Sequence, residues 1–220
     1  MEISNKLIKE ALKNVYFISG TAYAGKSTVC KMLANKYNMI HCEENYKFGD
    51  FLKLTTPQTH PNMNYFNTKS SWEEFVSRSK EDYYNWMVGT ARETTEFEIL
   101  HLLSLPRDQK VIVDTNIPHN VLKEISDYNR VVYMVATPEI STNQFFNRKD
   151  AEKQFLYKVI KNSSKPEENM KKFRDSLMFI NSLDVINEYI NTGYYVIKRE
   201  HLDDDVNHKL KLVEEHFKLN

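Results

Sequence analysis

The residues whose types and spacing have the clearest chemical meaning lie between positions 20 and 28. In order, they are Gly20, Thr21, Ala22, Tyr23, Ala24, Gly25, Lys26, Ser27 and Thr28. The first eight fit G-x-x-x-x-G-K-[ST], in which backbone N–H groups surround phosphates, the lysine reaches the β- and γ-phosphates, and the hydroxyl binds Mg²⁺. The chain has 5 glycines among 220 residues, and two of them stand at the two glycine positions of this pattern. We therefore predict that all nine residues bind a nucleoside triphosphate, ATP or GTP, with Lys26 as a catalytic residue and Ser27 as a ligand of Mg²⁺.

Acidic residues with the chemistry to complete such a site follow two other apolar runs. Asp114 directly follows the run at 111–113, and a carboxylate that holds Mg²⁺ is typical of this position beside a phosphate loop. Glu43 and Glu44 directly follow the run at 39–42, where a carboxylate can orient an acceptor hydroxyl or take its proton. We predict Asp114 as a metal ligand and one of the two glutamates as a catalytic residue, with Glu44 slightly preferred. A solvated loop position is the alternative for each glutamate.

Charged residues in two further segments are candidates for contact with the phosphates or the acceptor. Arg148 ends a predicted helix after the fourth strand, from which an arginine can close over the triphosphate and stabilise charge in the transition state. Arg92 and Glu96 lie one helical turn apart and are candidates for binding the acceptor. An ordinary helix end is the alternative for Arg148, and an i, i+4 ion pair is the alternative for Arg92 and Glu96.

The elements that must position these residues alternate between strands and helices. Apolar, β-rich runs predict strands at about 15–19, 39–42, 110–114, 130–136 and 194–197. This alternation predicts an α/β fold, with a parallel sheet covered by helices on both faces and ligands bound at the carboxyl ends of the strands. A capping sequence at Ser71 predicts a helix that continues to about Leu105, in which Gly89 is a candidate interruption. The spacing of apolar residues at 167–191 predicts one long helix.

Length, charge and composition limit the class of protein. The 220 residues fit one domain, and a formal net charge of +0 provides no broad basic field for nucleic acid or anionic lipid. No apolar run is long enough for a transmembrane helix, and the N-terminus lacks the apolar core of a secretion signal. Cys30 and Cys42 have no metal-ligand spacing and are predicted to be reduced thiols in a cytoplasmic protein. Thr115 in place of an acid after Asp114 disfavours a hydrolytic motor, and the absence of Asn-Lys-x-Asp disfavours a GTPase switch.

On these residues the chain resembles the small P-loop kinases of the nucleoside monophosphate kinase-like group. This group includes adenylate, shikimate and deoxynucleoside kinases and the chloramphenicol phosphotransferase-like enzymes. The resemblance rests on Gly20–Ser27, Asp114 and Arg148, and on the order of the elements. It implies a three-layer α/β/α P-loop NTPase fold with a five-stranded parallel sheet in the order 2-3-1-4-5. It also implies a single domain over 1–220, with a helical acceptor region at about 45–90 and a lid at about 148–165.

The activity implied by this resemblance is transfer of the γ-phosphoryl group from ATP, or GTP, with Mg²⁺, to a small molecule. A nucleoside, a nucleotide, a sugar-like metabolite and an antibiotic all remain open as acceptors. Residues 115–119 lack the arginine with which adenylate-type kinases bind an acceptor phosphate, so an uncharged, hydroxyl-bearing acceptor fits as well as a nucleotide. The alternative is a nucleotide-binding sensor or regulatory protein without phosphotransfer. The expected partners are the triphosphate and the acceptor, without nucleic acid or membrane, and the chain is expected to be a monomer or a homodimer.

Overall fold

Five parallel strands lie at the centre of the computed structural model, which describes residues 4–147 and 151–219. The strands are β1 (Val15–Gly20), β2 (Ile40–Cys42), β3 (Val111–Asp114), β4 (Val131–Ala136) and β5 (Tyr195–Arg199). Their order in the sheet is β2-β3-β1-β4-β5. The predictions of an α/β fold, a parallel sheet and the strand order 2-3-1-4-5 are therefore confirmed.

The register of the sheet brings the end of β1 beside the ends of its neighbours. Ile18 of β1 is paired with Asp114 of β3, and Gly20 of β1 is paired with Met134 of β4. Parallel strands present their carboxyl ends at one edge of a sheet. The loop after β1, the carboxylate of Asp114 and the turn after β2 consequently share that edge.

Helices connect these strands and cover both faces of the sheet. In the described part of the chain they are α1 (Asn5–Ala11), α2 (Lys26–Tyr37), α3 (Phe48–Leu52), α4 (Tyr65–Thr68), α5 (Trp72–Val76), α6 (Lys80–Ser104), α7 (His119–Ile125), α8 (Pro138–Asn143), α9 (Ala151–Lys161), α10 (Pro166–Ile180), α11 (Leu183–Asn191) and α12 (Val206–Phe217). Short 3₁₀ turns lie at Tyr128–Arg130 and Phe145–Asn147. Among residues 4–147 and 151–219, no helix combines the length and the apolarity that crossing a membrane requires.

Apolar side chains of the strands point alternately into two buried cores. On one face, Ile18 and Met134 pack with Val29 of α2 and Phe217 of α12. On the other face, the strands pack against α1, α6 and α7; the buried residues of this core include Leu12, Phe17, Leu102, Val113, Leu122, Ile125, Val131 and Tyr133. Because both faces are covered, the central strands consist of continuous apolar runs, as expected for a parallel sheet.

A third cluster joins the helices of the predicted acceptor region to those of the predicted lid. Phe75 of α5 and Tyr83 of α6 belong to the same buried cluster as Leu156 of α9. Closer to the surface, the rings of Trp72 and Phe155 lie 4.9 Å apart, edge to face. The two regions therefore contact each other directly through aromatic packing.

The helix predicted from Ser71 to about Leu105 is divided in the structure, although not at the glycine. Its first part, α5, ends at Val76, and α6 begins at Lys80, where Ser79 Oγ accepts a hydrogen bond from the N–H of Asp82 at 3.0 Å. Such a cap stabilises a new helix start. Gly89 does not interrupt α6, and it lies so close to the side chain of Asn62 that a Cβ would collide with it.

The prediction of one long helix over 167–191 is also wrong, and the break has a consequence for the site. Helix α10 ends at Ile180, and α11 begins at Leu183, where Ser182 Oγ accepts from the N–H of Val185 at 3.4 Å. The chain turns at Asn181, between the two helices. Its side chain reaches the loop after β1.

Candidate functional site

Backbone geometry explains both glycines of the loop that joins β1 to α2. Gly20 has φ +130°, and a Cβ at this position would collide with the carbonyl group of Met134 on β4. Gly25 has φ +98° and is the N-cap residue of α2. Both φ values lie in the region that favours glycine over residues with a side chain. The two glycines of the sequence pattern are thus required by the turn itself.

Hydrogen bonds to neighbouring elements fix the first half of this loop. The N–H of Thr21 donates to the carbonyl of Met134 at 3.1 Å, and Thr21 Oγ1 accepts from the N–H of Ala136 at 2.8 Å. Ser141 Oγ of α8 donates to the carbonyl of Ala22 at 2.9 Å. The start of the loop is therefore attached to β4 and α8.

Asn181 is a contributor to the loop that the sequence analysis missed. Its Oδ1 accepts from the N–H of Ala22 at 3.1 Å, while its Nδ2 donates to the carbonyl of Leu177 at 2.8 Å. The residue is 2% exposed. An Asn-Ser pair within a helical pattern is a recognisable break, but its contact with a loop 159 residues away cannot be read from the sequence.

The second half of the loop presents donors in the arrangement that binds an anion. In the described part of the chain, the backbone N–H groups of Ala24 and Gly25 have no hydrogen-bond partner, and the first N–H groups of a helix lack partners within the helix. The positive end of α2 is directed to the same place. Lys26 is 7% exposed, and its Nζ donates to the carbonyl of Thr21 at 3.1 Å. Its ammonium group is thus held against the backbone of the same loop.

A hydroxyl and a carboxylate meet directly below this loop. Ser27 Oγ donates to Asp114 Oδ2 at 2.7 Å. Asp114 is 1% exposed, and its Oδ1 has no hydrogen-bond partner among the described residues. Burial raises the pKa of Asp114, while the charge of Lys26 opposes this effect. A buried carboxylate oxygen without a partner requires an explanation, and the oxygen ligands of Ser27 and Asp114 fit the preference of Mg²⁺.

The structure distinguishes the two glutamates that follow β2. Glu44 lines the cleft in front of the phosphate loop, and one of its carboxylate oxygens accepts from Asn116 Nδ2 at 3.4 Å. The side chain of Glu43 is 78% exposed, with its Oε1 4.0 Å from His41 Nδ1, and it is not part of the cleft wall. Of the two residues, only Glu44 therefore faces the cleft.

The remaining predicted contacts lie on different parts of the chain. Arg92 and Glu96 are exposed residues of α6 that both line the cleft, and within the described residues no ion pair joins them. The i, i+4 ion pair considered above is therefore not formed, and both side chains face the cleft. Arg148, predicted to close over the phosphates, lies outside the described residues.

The central cleft is the space that these residues share. It has a volume of about 1490 Å³, and Gly20–Thr28 forms one end of it. Glu44, the cleft-facing side of α6 and the turn Asn116–Val121 form its further walls. This volume is larger than that of typical ligand sites, which measure about 300–1,000 Å³.

A buried carboxyl group connects α6 to the end of β3. Glu98 is 7% exposed, and its Oε2 accepts from Thr115 Oγ1 at 2.7 Å. The hydroxyl of Thr115 also accepts from the N–H of Ile117 at 3.0 Å, which shapes the turn after Asp114. Burial raises the pKa of Glu98 to about 7, the bond from Thr115 opposes this, and the charges of Asp114 and Glu44 add to it. Sequence reasoning missed Glu98, because a glutamate in a helix usually faces solvent.

Replacing Glu98 with glutamine is expected to remove a pH dependence of stability. The raised pKa means that the native state holds the proton more tightly, so the contribution of Glu98 to the stability of the wild type falls as the pH rises from about 4.5 to about 7. The Glu98→Gln variant keeps an acceptor for Thr115 and does not titrate. The free energy of unfolding of the variant minus that of the wild type should therefore increase by on the order of 3 kcal/mol between pH 4.5 and pH 8.

Urea denaturation at a series of pH values measures this difference. Glu96→Gln is the matched control, because Glu96 is an exposed glutamate of the same helix. The difference in free energy of unfolding between this control and the wild type should not change with pH. A constant difference for Glu98→Gln as well would contradict the assignment of a buried, protonated carboxyl group.

Comparison with known proteins identifies no relative of this chain among protein families or curated proteins. Its function has therefore to be inferred from the chemistry of the site.

Proposed function

We propose that the protein is a phosphotransferase that moves the γ-phosphoryl group of ATP, or GTP, to a hydroxyl group of a small molecule. The main support is the 2.7 Å contact between Ser27 Oγ and Asp114 Oδ2 at the base of a phosphate-type loop. The presence of Glu44 in the wall of the same cleft also supports the proposal. The parallel sheet in the order 2-3-1-4-5 is compatible with a small P-loop kinase.

The donor half of the proposed reaction depends on charge and position. The N–H groups of the loop and the ammonium group of Lys26 bind the β- and γ-phosphates, and Ser27 and Asp114 supply oxygen ligands for Mg²⁺. When bound, Mg²⁺ neutralises charge on the two phosphates that separate during transfer. Phosphoryl transfer needs little covalent help from the protein, so positioning and charge stabilisation account for most of the catalysis.

The acceptor half of the proposed reaction involves the turn after β2. Glu44 orients the acceptor hydroxyl and receives its proton, while the acceptor oxygen forms a bond to the γ-phosphorus and the bond from that phosphorus to the β,γ-bridging oxygen breaks. Asn116 holds Glu44 from the neighbouring turn. Arg92 and Glu96 contact the body of the acceptor in this proposal. Arg148 stabilises charge on the transferring group, as the sequence predicts.

Transfer of label from γ-³²P-ATP with Mg²⁺ to a panel of nucleosides, nucleotides, sugars and alcohol-bearing antibiotics tests this proposal. We expect Glu44→Gln to lower transfer to the best acceptor by about 10²-fold or more, because the variant cannot take up a proton. Glu43→Gln is the matched control and should retain most of the activity, since Glu43 lies outside the cleft wall. Equal activity of both variants would contradict the role of Glu44. Binding of ATP without transfer to any member of the panel would favour the regulatory alternative.

A further inference from the structure

The walls of the central cleft beyond the phosphate loop carry more negative than positive charge. These walls are formed by the turn after β2 and by α6, α7 and α11. Among residues 4–147 and 151–219, the Asp, Glu, Lys and Arg side chains that line them are Glu44, Arg92, Glu96 and Glu188. One cation therefore stands against three carboxylates. Lys26 belongs to the phosphate loop, and Glu152 and Lys153, which carry opposite charges, belong to α9 on the side of the lid.

This charge distribution opposes an acceptor that carries a phosphate. Proteins usually bind a phosphate dianion with arginine pairs or with several donors, and carboxylates beside it repel it. The N-terminus of α7 faces the cleft, but this helix has seven residues, and Pro118 at its start has no N–H to donate. Arg92 alone does not balance three carboxylates.

The far end of the cleft is apolar. Side chains from α1, α6, α7 and α11 meet there, and they include Ile8, Ile99, Leu103, Val121 and Val185. Leu100 of α6 lines the same space and is 60% exposed. The other five side chains are half-buried, so an apolar ligand group that covers this wall removes apolar surface from water.

A tyrosine of the sheet supplies one polar atom beneath this apolar end. Tyr133 of β4 lines the cleft, is 1% exposed, and its hydroxyl has no hydrogen-bond partner among the described residues. Its neighbours are the rings of Tyr189, at 4.9 Å, and Tyr194, at 5.8 Å. A buried hydroxyl without a partner is costly, so a ligand group that bonds to it gains affinity.

We propose that the acceptor is a phosphate-free alcohol with an apolar body, which lies between α6, α7 and α11 and forms a hydrogen bond with the hydroxyl of Tyr133. This inference rests on the proposed function. It narrows the acceptor to molecules without negative charge, such as an unphosphorylated nucleoside or another neutral or amine-bearing alcohol. It excludes nucleotides and sugar phosphates.

Matched pairs of acceptors test the charge of the substrate. The pairs are nucleosides with their 5′-monophosphates, pentoses with their 5-phosphates, and aromatic alcohols with their phosphate esters, each supplied with γ-³²P-ATP and Mg²⁺. The expected result is a kcat/KM at least tenfold higher for the phosphate-free member of the best pair. Equal or better transfer to the phosphorylated member would overturn this inference and leave the proposed phosphotransferase intact. Absence of transfer to both members of every pair would overturn the proposed function as well.

Tyr133→Phe tests the position of the acceptor in the cleft. The variant should raise the KM for the best phosphate-free acceptor about tenfold and leave the affinity for Mg·ATP unchanged. Tyr194→Phe is the control, because Tyr194 is a neighbouring tyrosine that does not line the cleft. A thermal unfolding curve of each variant shows whether it is folded. A folded Tyr133→Phe variant with an unchanged acceptor KM would overturn the assignment of Tyr133.

Discussion

Replacing Lys26 with alanine is expected to lower kcat/KM for ATP by about 10³-fold and to weaken the binding of Mg·ATP. The ammonium group is held against the loop, and its one hydrogen bond in the described structure is to the carbonyl of Thr21. Its removal therefore takes away the positive charge that faces the phosphates while leaving the other anchors of the loop in place. The fold should persist, because Thr21 and Ala22 remain attached to β4 and α8.

Calorimetric titration with Mg·ATP measures the loss of binding directly and does not require a known acceptor. Lys31→Ala is the matched control, since Lys31 is an exposed lysine of the same helix. This control should bind Mg·ATP like the wild type. If folded Lys26→Ala bound Mg·ATP with unchanged affinity, the interpretation of Gly20–Thr28 as a triphosphate site would be wrong.

The second large effect is expected for Asp114→Asn. The variant retains an oxygen that accepts from Ser27 Oγ, but it loses the charge of a carboxylate whose Oδ1 has no partner among the described residues. We expect kcat/KM to fall by about 10²- to 10³-fold, and we expect ATP binding to lose most of its dependence on Mg²⁺. Burial raises the pKa of Asp114, so the ionised carboxylate destabilises the native state at any pH above the ordinary pKa of an aspartate. The neutral asparagine carries no such cost, and the free energy of unfolding of the variant should therefore not fall.

The increase in melting temperature that ATP causes, measured with and without Mg²⁺, separates a metal role from a structural one. Wild-type protein should show a larger increase with Mg²⁺ than without it, and Asp114→Asn should show nearly the same increase in both conditions. Asp108→Asn, an exposed aspartate before β3, provides the control and should behave like the wild type. A fully retained effect of Mg²⁺ in Asp114→Asn would show that this carboxylate does not hold the metal.

The surroundings of Glu44 and Gly89 depend on parts of the chain that are distant in sequence. Glu43 and Glu44 are equivalent as neighbours in the sequence, and the turn after β2 places only Glu44 in the cleft wall. Gly89 is a residue type that often interrupts a helix, yet α6 continues through it, and the glycine makes room for the side chain of Asn62. Patterns within one segment do not contain this information, since the deciding neighbour comes from another part of the chain.

From the sequence alone it was possible to predict a loop at Gly20–Thr28 between a strand and a helix, Asp114 at a strand end, and the alternation of strands and helices. These features depend on backbone conformation and on periodicity within a few residues, which short segments specify. Only the tertiary structure brought Asn181 to the loop and buried Glu98 against Thr115. Only the tertiary structure, too, brought acidic and apolar side chains together in the wall of one cleft. These contacts join residues that are distant in the chain, and they arise from the packing of α6 and α11 around the sheet rather than from any local preference.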